Sequence, residues 1–181
     1  MNTLRQQQLQ PHQHQHVIPP RVFENVLQMC KDRGYHLLDR REHEIITDKC
    51  YIIFTRDIKI NISYIKELTH MMAEQELQHV IVVYNGSITI NNQNIREIQQ
   101  IYNIEFFTEK MFMYNLMQHG LVPKHVLVLP SDKHYDKLRG EAANLPHILA
   151  TDPVAKYYNF KQGDILRIYR HDNTHAYRLV T

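Results

Sequence analysis

Between residues 21 and 30 apolar side chains recur at helical spacing: Val22, Val26, Leu27, Met29 and Cys30 share one side, and Gly34 stands where a left-handed C-cap residue belongs. The pattern predicts a short amphipathic helix with a firm stop. A charged interval from Asp39 to Glu44 precedes Tyr51-Ile52-Ile53-Phe54, a continuous apolar run that predicts a buried strand. Ile62, Ile65, Leu68, Met72 and Leu77 then define a second helix, with Asn61 or Ser63 as its N-cap and Met71 and Met72 as core filling. The clearest strand is Val80-Ile81-Val82-Val83-Tyr84, followed by Asn85-Gly86, a turn pair suited to positive φ. Asn91 or Asn92 opens a short helix through Ile95, Ile98 and Ile101. Ile104-Glu105-Phe106-Phe107 is a further strand, and Thr108-Glu109 opens a helix predicted to end near Gly120.

Strands with unbroken apolar runs, alternating with helices, define an α/β domain with a partly parallel sheet over residues 18–118. The stretch from His119 to His125, with Gly120 and Pro123, interrupts the pattern as a domain boundary does. Beyond it lie a strand from His125 to Leu129, a helix capped by Ser131, a loop at Leu145-Pro146 and a helix begun by Asp152-Pro153. Asp accepts the orphan amides there, and Pro at the first helical position sacrifices no hydrogen bond. Asn159 is placed to end that helix in the left-handed conformation. Strands from Ile165 to Tyr169 and from His175 to Val180, joined by His171-Asp172-Asn173-Thr174, make a terminal hairpin. The second domain, 119–181, is thus a small α+β unit, and the chain is α+β overall.

Composition adds limits. Residues 1–17 are rich in Gln and His and too poor in apolar side chains to repay ordering, so a disordered tail is expected. His12, His14 and His16 could share a metal only if that segment were extended. Net charge is +2, with 12 Lys and Arg against 13 Asp and Glu through Gln118, and 9 against 6 thereafter. A chain so balanced does not grip nucleic acid unaided, and any such contact is auxiliary. With no apolar run long enough for a bilayer and no apolar signal core, a soluble intracellular protein without membrane contact is expected. Cys30 and Cys50 read as buried free thiols.

Five fragments carry a resemblance by their order. His119 with Leu121-Val122-Pro123-Lys124-His125, then Leu145-Pro146-His147-Ile148, Asp152-Pro153-Val154-Ala155-Lys156-Tyr157, Lys161-Gln162-Gly163-Asp164 and Tyr177-Arg178-Leu179-Val180 resemble the C-terminal domain of the fifth-largest subunit shared by eukaryotic nuclear RNA polymerases and its short archaeal counterpart. In front, Cys30-Lys31-Asp32-Arg33-Gly34-Tyr35 is similar to the end of the family's first helix, and Val80 to Gly86 to its jaw strand and turn.

The resemblance implies a non-catalytic subunit without cofactor. Its N-terminal jaw would be a three-layer domain like that of restriction endonucleases, beside downstream duplex DNA. The C-terminal assembly domain would dock on the largest polymerase subunit and sit among other polymerase subunits. Docking residues carried over are His119, Val122, Pro123, Lys124, His125, Leu145, Pro146, His147, Asp152, Pro153, Lys156, Tyr157, Arg167, Arg170, Tyr177 and Arg178. DNA-contact candidates are Asn85, Gly86, Ser87, Thr89, Asn91 and Asn92, in a loop lacking the family's Thr-Pro-Ser turn. His147 and Asn159 replace the family's usual Arg and Gly, and the Asn- and Ile-rich composition suits a viral homologue. The expected location is the nucleus, or a viral factory and virion. Two other classes stay open: a Mg²⁺-dependent nuclease using Asp48, Asp57 and Lys59, and a free-standing interaction protein reusing the fold.

Overall fold

The structure, a computed structural model, describes residues 18–55, 59–89 and 101–181. Five strands, β1 (Leu37–Arg40), β2 (Glu44–Thr47), β3 (Tyr51–Thr55), β5 (His79–Tyr84) and β7 (Asn103–Thr108), form one sheet in the order β1-β2-β3-β5-β7. The β3, β5 and β7 strands run parallel, while β1 and β2 extend the sheet antiparallel. β4 (Lys59–Ile60) and β6 (Ser87–Ile88) pair in parallel as a separate ribbon.

Helix α1 (Pro20–Asp32) buries Val22, Phe23, Val26 and Met29 against Ile52, Phe54, Ile81, Val83 and Phe107 on one sheet face. Helix α2 (Ile62–Glu74) sets Ile65, Leu68 and Met72 on the other face, against Val80, Val82, Ile104 and Phe106. A sheet covered on both faces explains why all six residues of β5 are buried and why the run carries no alternation. Helix α1 ends as its sequence requires. Gly34 has φ 71°, with Tyr35 N–H bonded to the Cys30 carbonyl and Gly34 N–H to that of Lys31. At the end of α2 a left-handed Glu76 (φ 54°) performs the same reversal, so Leu77 lies beyond the helix yet still packs on its core face. Asn61 caps α2 through its side chain, which accepts from Tyr64 N–H at 2.9 Å.

Several expectations need correction. The charged interval from Asp39 to Glu44, to which the sequence pattern assigns no element, lies in the β1–β2 hairpin, whose charges pair locally, Arg41 with Asp39 and Glu44 at 3.1 and 3.2 Å. β1 is an edge strand exposed throughout, so it carries no hydrophobic signature. The helix expected from Thr108 towards Gly120 is replaced by 3₁₀ turns at Glu109–Phe112 and Leu116–Gln118. Asn115 captures the Met117 amide with its side chain, and the Phe112 carbonyl is taken by Asn25 Nδ2 at 2.8 Å. Both contacts divert backbone groups from a helical ladder. The helix expected from Asn91 or Asn92 lies outside the described residues.

The second sheet has the order β8-β10-β11-β9, with β8 (Lys124–Leu127), β10 (Ile165–Tyr169), β11 (His175–Val180) and the short β9 (His147–Ile148). β10 and β11 form the expected hairpin; the loop expected at Leu145-Pro146 is followed by β9, which is too short to show a sequence pattern and pairs in parallel with β11. Helix α3 (Tyr135–Gly140) begins after the expected Ser131 cap; Asp132, not Ser131, bonds the backbone before it by accepting from His134 N–H. Helix α4 (Pro153–Tyr158) matches expectation: Asp152 Oδ1 accepts from Val154 N–H at 2.8 Å, and Asn159 is left-handed at φ 56°. Asp152→Ala removes that cap and should lower stability by about 1 kcal/mol, read by urea unfolding of the whole chain. No change would show the cap bond to be idle.

Candidate docking surface and its link to the larger sheet

The predicted docking residues do not form one outward face. His119, Lys124, Pro146, His147, Arg170 and Arg178 are exposed, whereas Val122, Pro123, His125, Leu145, Arg167 and Tyr177 are half-buried. His119 Nδ1 accepts from Leu121 N–H, and the His125 ring meets the Pro123 carbonyl at 2.8 Å. Arg178 donates to the His147 carbonyl at 2.9 Å, while Leu179 N–H takes the Pro146 carbonyl. The Leu-Pro-His-Ile fragment and the terminal strand therefore recur together because they are one paired edge. Arg170 closes the hairpin turn through its amide, bonded to the Thr174 carbonyl.

The Asp-Pro helix points inward. Pro153 stays exposed and Asp152 half-buried, but Tyr157 is only 7% exposed and packs in the core shared with α1. Its hydroxyl donates to Asp32 Oδ2 at 2.7 Å. Burial, then this bond to Asp32, pushes the Tyr157 phenol far above its ordinary value. Lys156 holds its ammonium 4.8 Å from the centre of the Phe107 ring, a cation–π contact. Burial pulls the Lys156 pKa down, opposed by the charge of Glu105.

The residues that sequence reasoning missed stand at the centre of this seam. Arg33 donates to both oxygens of Glu105 at 2.7 and 2.8 Å, to the Tyr157 carbonyl at 2.7 Å and to the Lys156 carbonyl at 3.0 Å. His79 Nε2 meets Glu105 Oε1 at 2.7 Å. One guanidinium thus joins the end of α1, the edge strand β7 and the last carbonyls of α4, where a cation also complements the helix dipole. A signal existed: a carboxylate within Ile-Glu-Phe-Phe, on a strand otherwise apolar, must find a partner when buried.

Burial opposes the charged form of Glu105, but the hydrogen bonds from His79 and Arg33 and the charge of Arg33 outweigh it and hold the pKa below the ordinary 4.5. A carboxylate depressed on folding contributes stability that is present above its unfolded pKa and lost as pH falls through the folded one. Unfolding free energy should therefore decline as pH drops below about 4.5, and Glu105→Gln should flatten that acid limb. An unaltered limb in Glu105→Gln would assign acid sensitivity to other groups. Nearby, Cys30 and Cys50 are buried free thiols, and the hydrogen bond to Cys50, then burial, pushes the Cys30 thiol well up.

The DNA-contact candidates Asn85, Gly86, Ser87 and Thr89 are exposed around the β4–β6 ribbon, and Gly86 alone of the turn pair has positive φ, 138°. Thr89 directs both its amide and its hydroxyl to the Ile60 carbonyl. Asn91 and Asn92 lie outside the described residues, as does Asp57 of the nuclease reading. Asp48 spends Oδ1 on the His36 amide at 2.7 Å. Among the described residues, no three His, Cys, Asp or Glu side chains cluster as a metal site, and no helix is long and apolar enough to cross a membrane.

Comparison with known proteins matches the sequence to a family. Residues 114–180 match the family model described as RNA polymerase Rpb5, C-terminal domain. The "DNA-directed RNA polymerases I, II, and III subunit RPABC1" of Caenorhabditis elegans is 33% identical over 140 residues, 74% of this chain and 66% of the relative. The protein of the same printed name in Dictyostelium discoideum is 31% identical, over 75% of this chain and 71% of the relative. "DNA-directed RNA polymerase subunit 5-like protein 1" of Arabidopsis thaliana is 28% identical, over 85% and 89%. The chain belongs to the Rpb5 family of RNA polymerase subunits. It spans about two thirds of the length of the nematode relatives it matches.

Proposed function

We propose that this chain is a non-catalytic subunit of a DNA-directed RNA polymerase. Its residues 119–181 are the assembly domain that docks on the largest subunit, and residues 18–118 are a jaw set beside downstream duplex DNA. The observation that carries the reading is the family match at 114–180, which falls on the four-stranded sheet and α4. Relatives carry the name "DNA-directed RNA polymerases I, II, and III subunit RPABC1", which supports a nuclear complex as the location. The three layers around the five-stranded sheet agree with a jaw of restriction-endonuclease type. The seam through Arg33 supports a fixed jaw, because a guide for DNA must hold its angle to the surface that anchors it. Near-neutral charge suits a guide whose affinity comes from protein contacts.

A transcription complex stalled on a defined template tests the reading. With a photoreactive group at Ser87, the chain should be recovered within the complex and should cross-link to duplex ahead of the catalytic centre. A fully assembled, active polymerase from the native source that lacks the chain would overturn the reading. A complex that contains the chain but yields no DNA adduct would remove the jaw contact and leave the docking.

A further inference from the structure

Cys30 and Cys50 are the two cysteines of the chain, and the fold brings them together from a helix and a sheet. Cys30 lies in the last turn of α1 and Cys50 immediately before β3; both belong to the core between these elements, 3% and 5% exposed. Each backbone is pinned. The Cys30 carbonyl accepts from Tyr35 N–H at 2.8 Å. Cys50 N–H donates to Thr47 Oγ1 at 2.9 Å, and its carbonyl accepts from the Thr47 amide at 3.0 Å. The Thr47 hydroxyl also stands 3.3 Å from the Cys50 sulfur, and the two thiols hydrogen-bond each other. Sulfurs already in contact need only close to about 2 Å to become a disulfide, a movement of side chains.

The two thiols differ in character. A thiol buried among apolar groups is inert, because burial disfavours its thiolate. Here the hydrogen bond from Cys30, with those of Thr47 and the charge of Arg33, outweighs burial and holds the Cys50 thiol below its ordinary value, while Cys30 is pushed up. Cys50 is thus the better nucleophile, and Cys30 stands beside it as a resolving thiol. The surface next to the pair is made by Tyr35, which packs on this core, and by the exposed Lys49, whose ammonium lies 3.4 Å from the Gly34 carbonyl and 5.6 Å from the Tyr35 ring centre. Peroxide, close to water in size, needs only those side chains displaced.

We propose that Cys30 and Cys50 form a dithiol site that hydrogen peroxide converts to a reversible disulfide, fastening α1 to the sheet three residues before Arg33. The Cys50 thiolate attacks one peroxide oxygen; an S–O bond forms, the O–O bond breaks, and the departing hydroxide takes the Cys50 proton and leaves as water. The Cys30 sulfur then attacks the Cys50 sulfenic sulfur, forming the S–S bond and breaking S–O, and the second water carries away the Cys30 proton. Two thiols lose two electrons, and one peroxide is reduced to two waters.

The test exposes the folded full-length chain to stoichiometric hydrogen peroxide, then alkylates remaining thiols in denaturant and maps the peptides by mass. The expected product is a monomer lighter by two hydrogen atoms, with the Cys30 and Cys50 peptides joined and both thiols restored by dithiothreitol. Closing the loop from 30 to 50 should raise the folded-to-unfolded ratio about a hundredfold in urea. Cys30→Ser should stop at a Cys50 sulfenic acid that dimedone traps, whereas Cys50→Ser should slow the loss of the Cys30 thiol about tenfold. The wild-type map decides the bridge whether or not either variant folds. Thiols that stay alkylatable, a bridge between two chains, a sulfinic or sulfonic acid without a bridge, or an oxidised chain no more stable than the reduced one would each overturn the proposal.

Discussion

Replacing Arg33 by Met should lower the unfolding free energy by roughly 3–5 kcal/mol, the range for removing one partner of a buried ion pair. Arg33 and Glu105 have only 2% and 8% of their side-chain surface exposed, so the variant leaves a carboxylate with no solvent to accept its charge. It also strips donors from the last carbonyls of α4. His79 would remain on Glu105, which keeps the loss short of a wholly unpaired charge. Changing Arg33 and Glu105 together to apolar residues of similar volume should recover much of the loss, since well-packed apolar replacements of buried pairs are often near neutral. A double-mutant cycle by urea unfolding gives the answer. A loss under about 1 kcal/mol in Arg33→Met would mean the pair is as weak as a surface bridge.

The second large effect is expected at Tyr157. Truncation to Ala removes a buried aromatic that packs with α1, and should destabilise by about 3–5 kcal/mol. Tyr157→Phe keeps the ring and loses only the hydrogen bond to Asp32, so a cost of about 1 kcal/mol is expected. Because Tyr157 and Arg33 meet at one seam, Tyr157→Ala should also loosen the two sheets from each other. Protease cleavage within residues 109–124 should then rise well above that of Tyr157→Phe. Equal stability and equal cleavage in both variants would deny that α4 fastens the sheets, and would return its face to a partner.

The sequence was most legible where one interaction dominates. Val80 to Tyr84 reads as a strand because both sheet faces are covered, and Asp152-Pro153 reads as a helix start because cap chemistry is local. It was least legible where tertiary contacts decide. The β1–β2 hairpin hides behind its own charges, and 109–118 fails as a helix because Asn25 and Asn115 take backbone groups. The order of short fragments pointed to the right family, yet it placed Tyr157 among outward docking residues. Nothing local to Asp-Pro-Val-Ala-Lys-Tyr tells that its carbonyls are the acceptors for an arginine 124 residues away in sequence. The apolar strand around Glu105 signals that this carboxylate needs a partner, but only the tertiary fold brings Arg33 and His79 to it.

The most direct test of the polymerase-subunit reading is the composition of the native complex. A tagged chain expressed at its natural level should be captured together with the largest RNA polymerase subunit, in equal molar amounts by quantitative mass spectrometry, and should sediment with it. Capture of the chain as a free monomer, with the largest subunit absent while active polymerase is present in the same extract, would contradict the account.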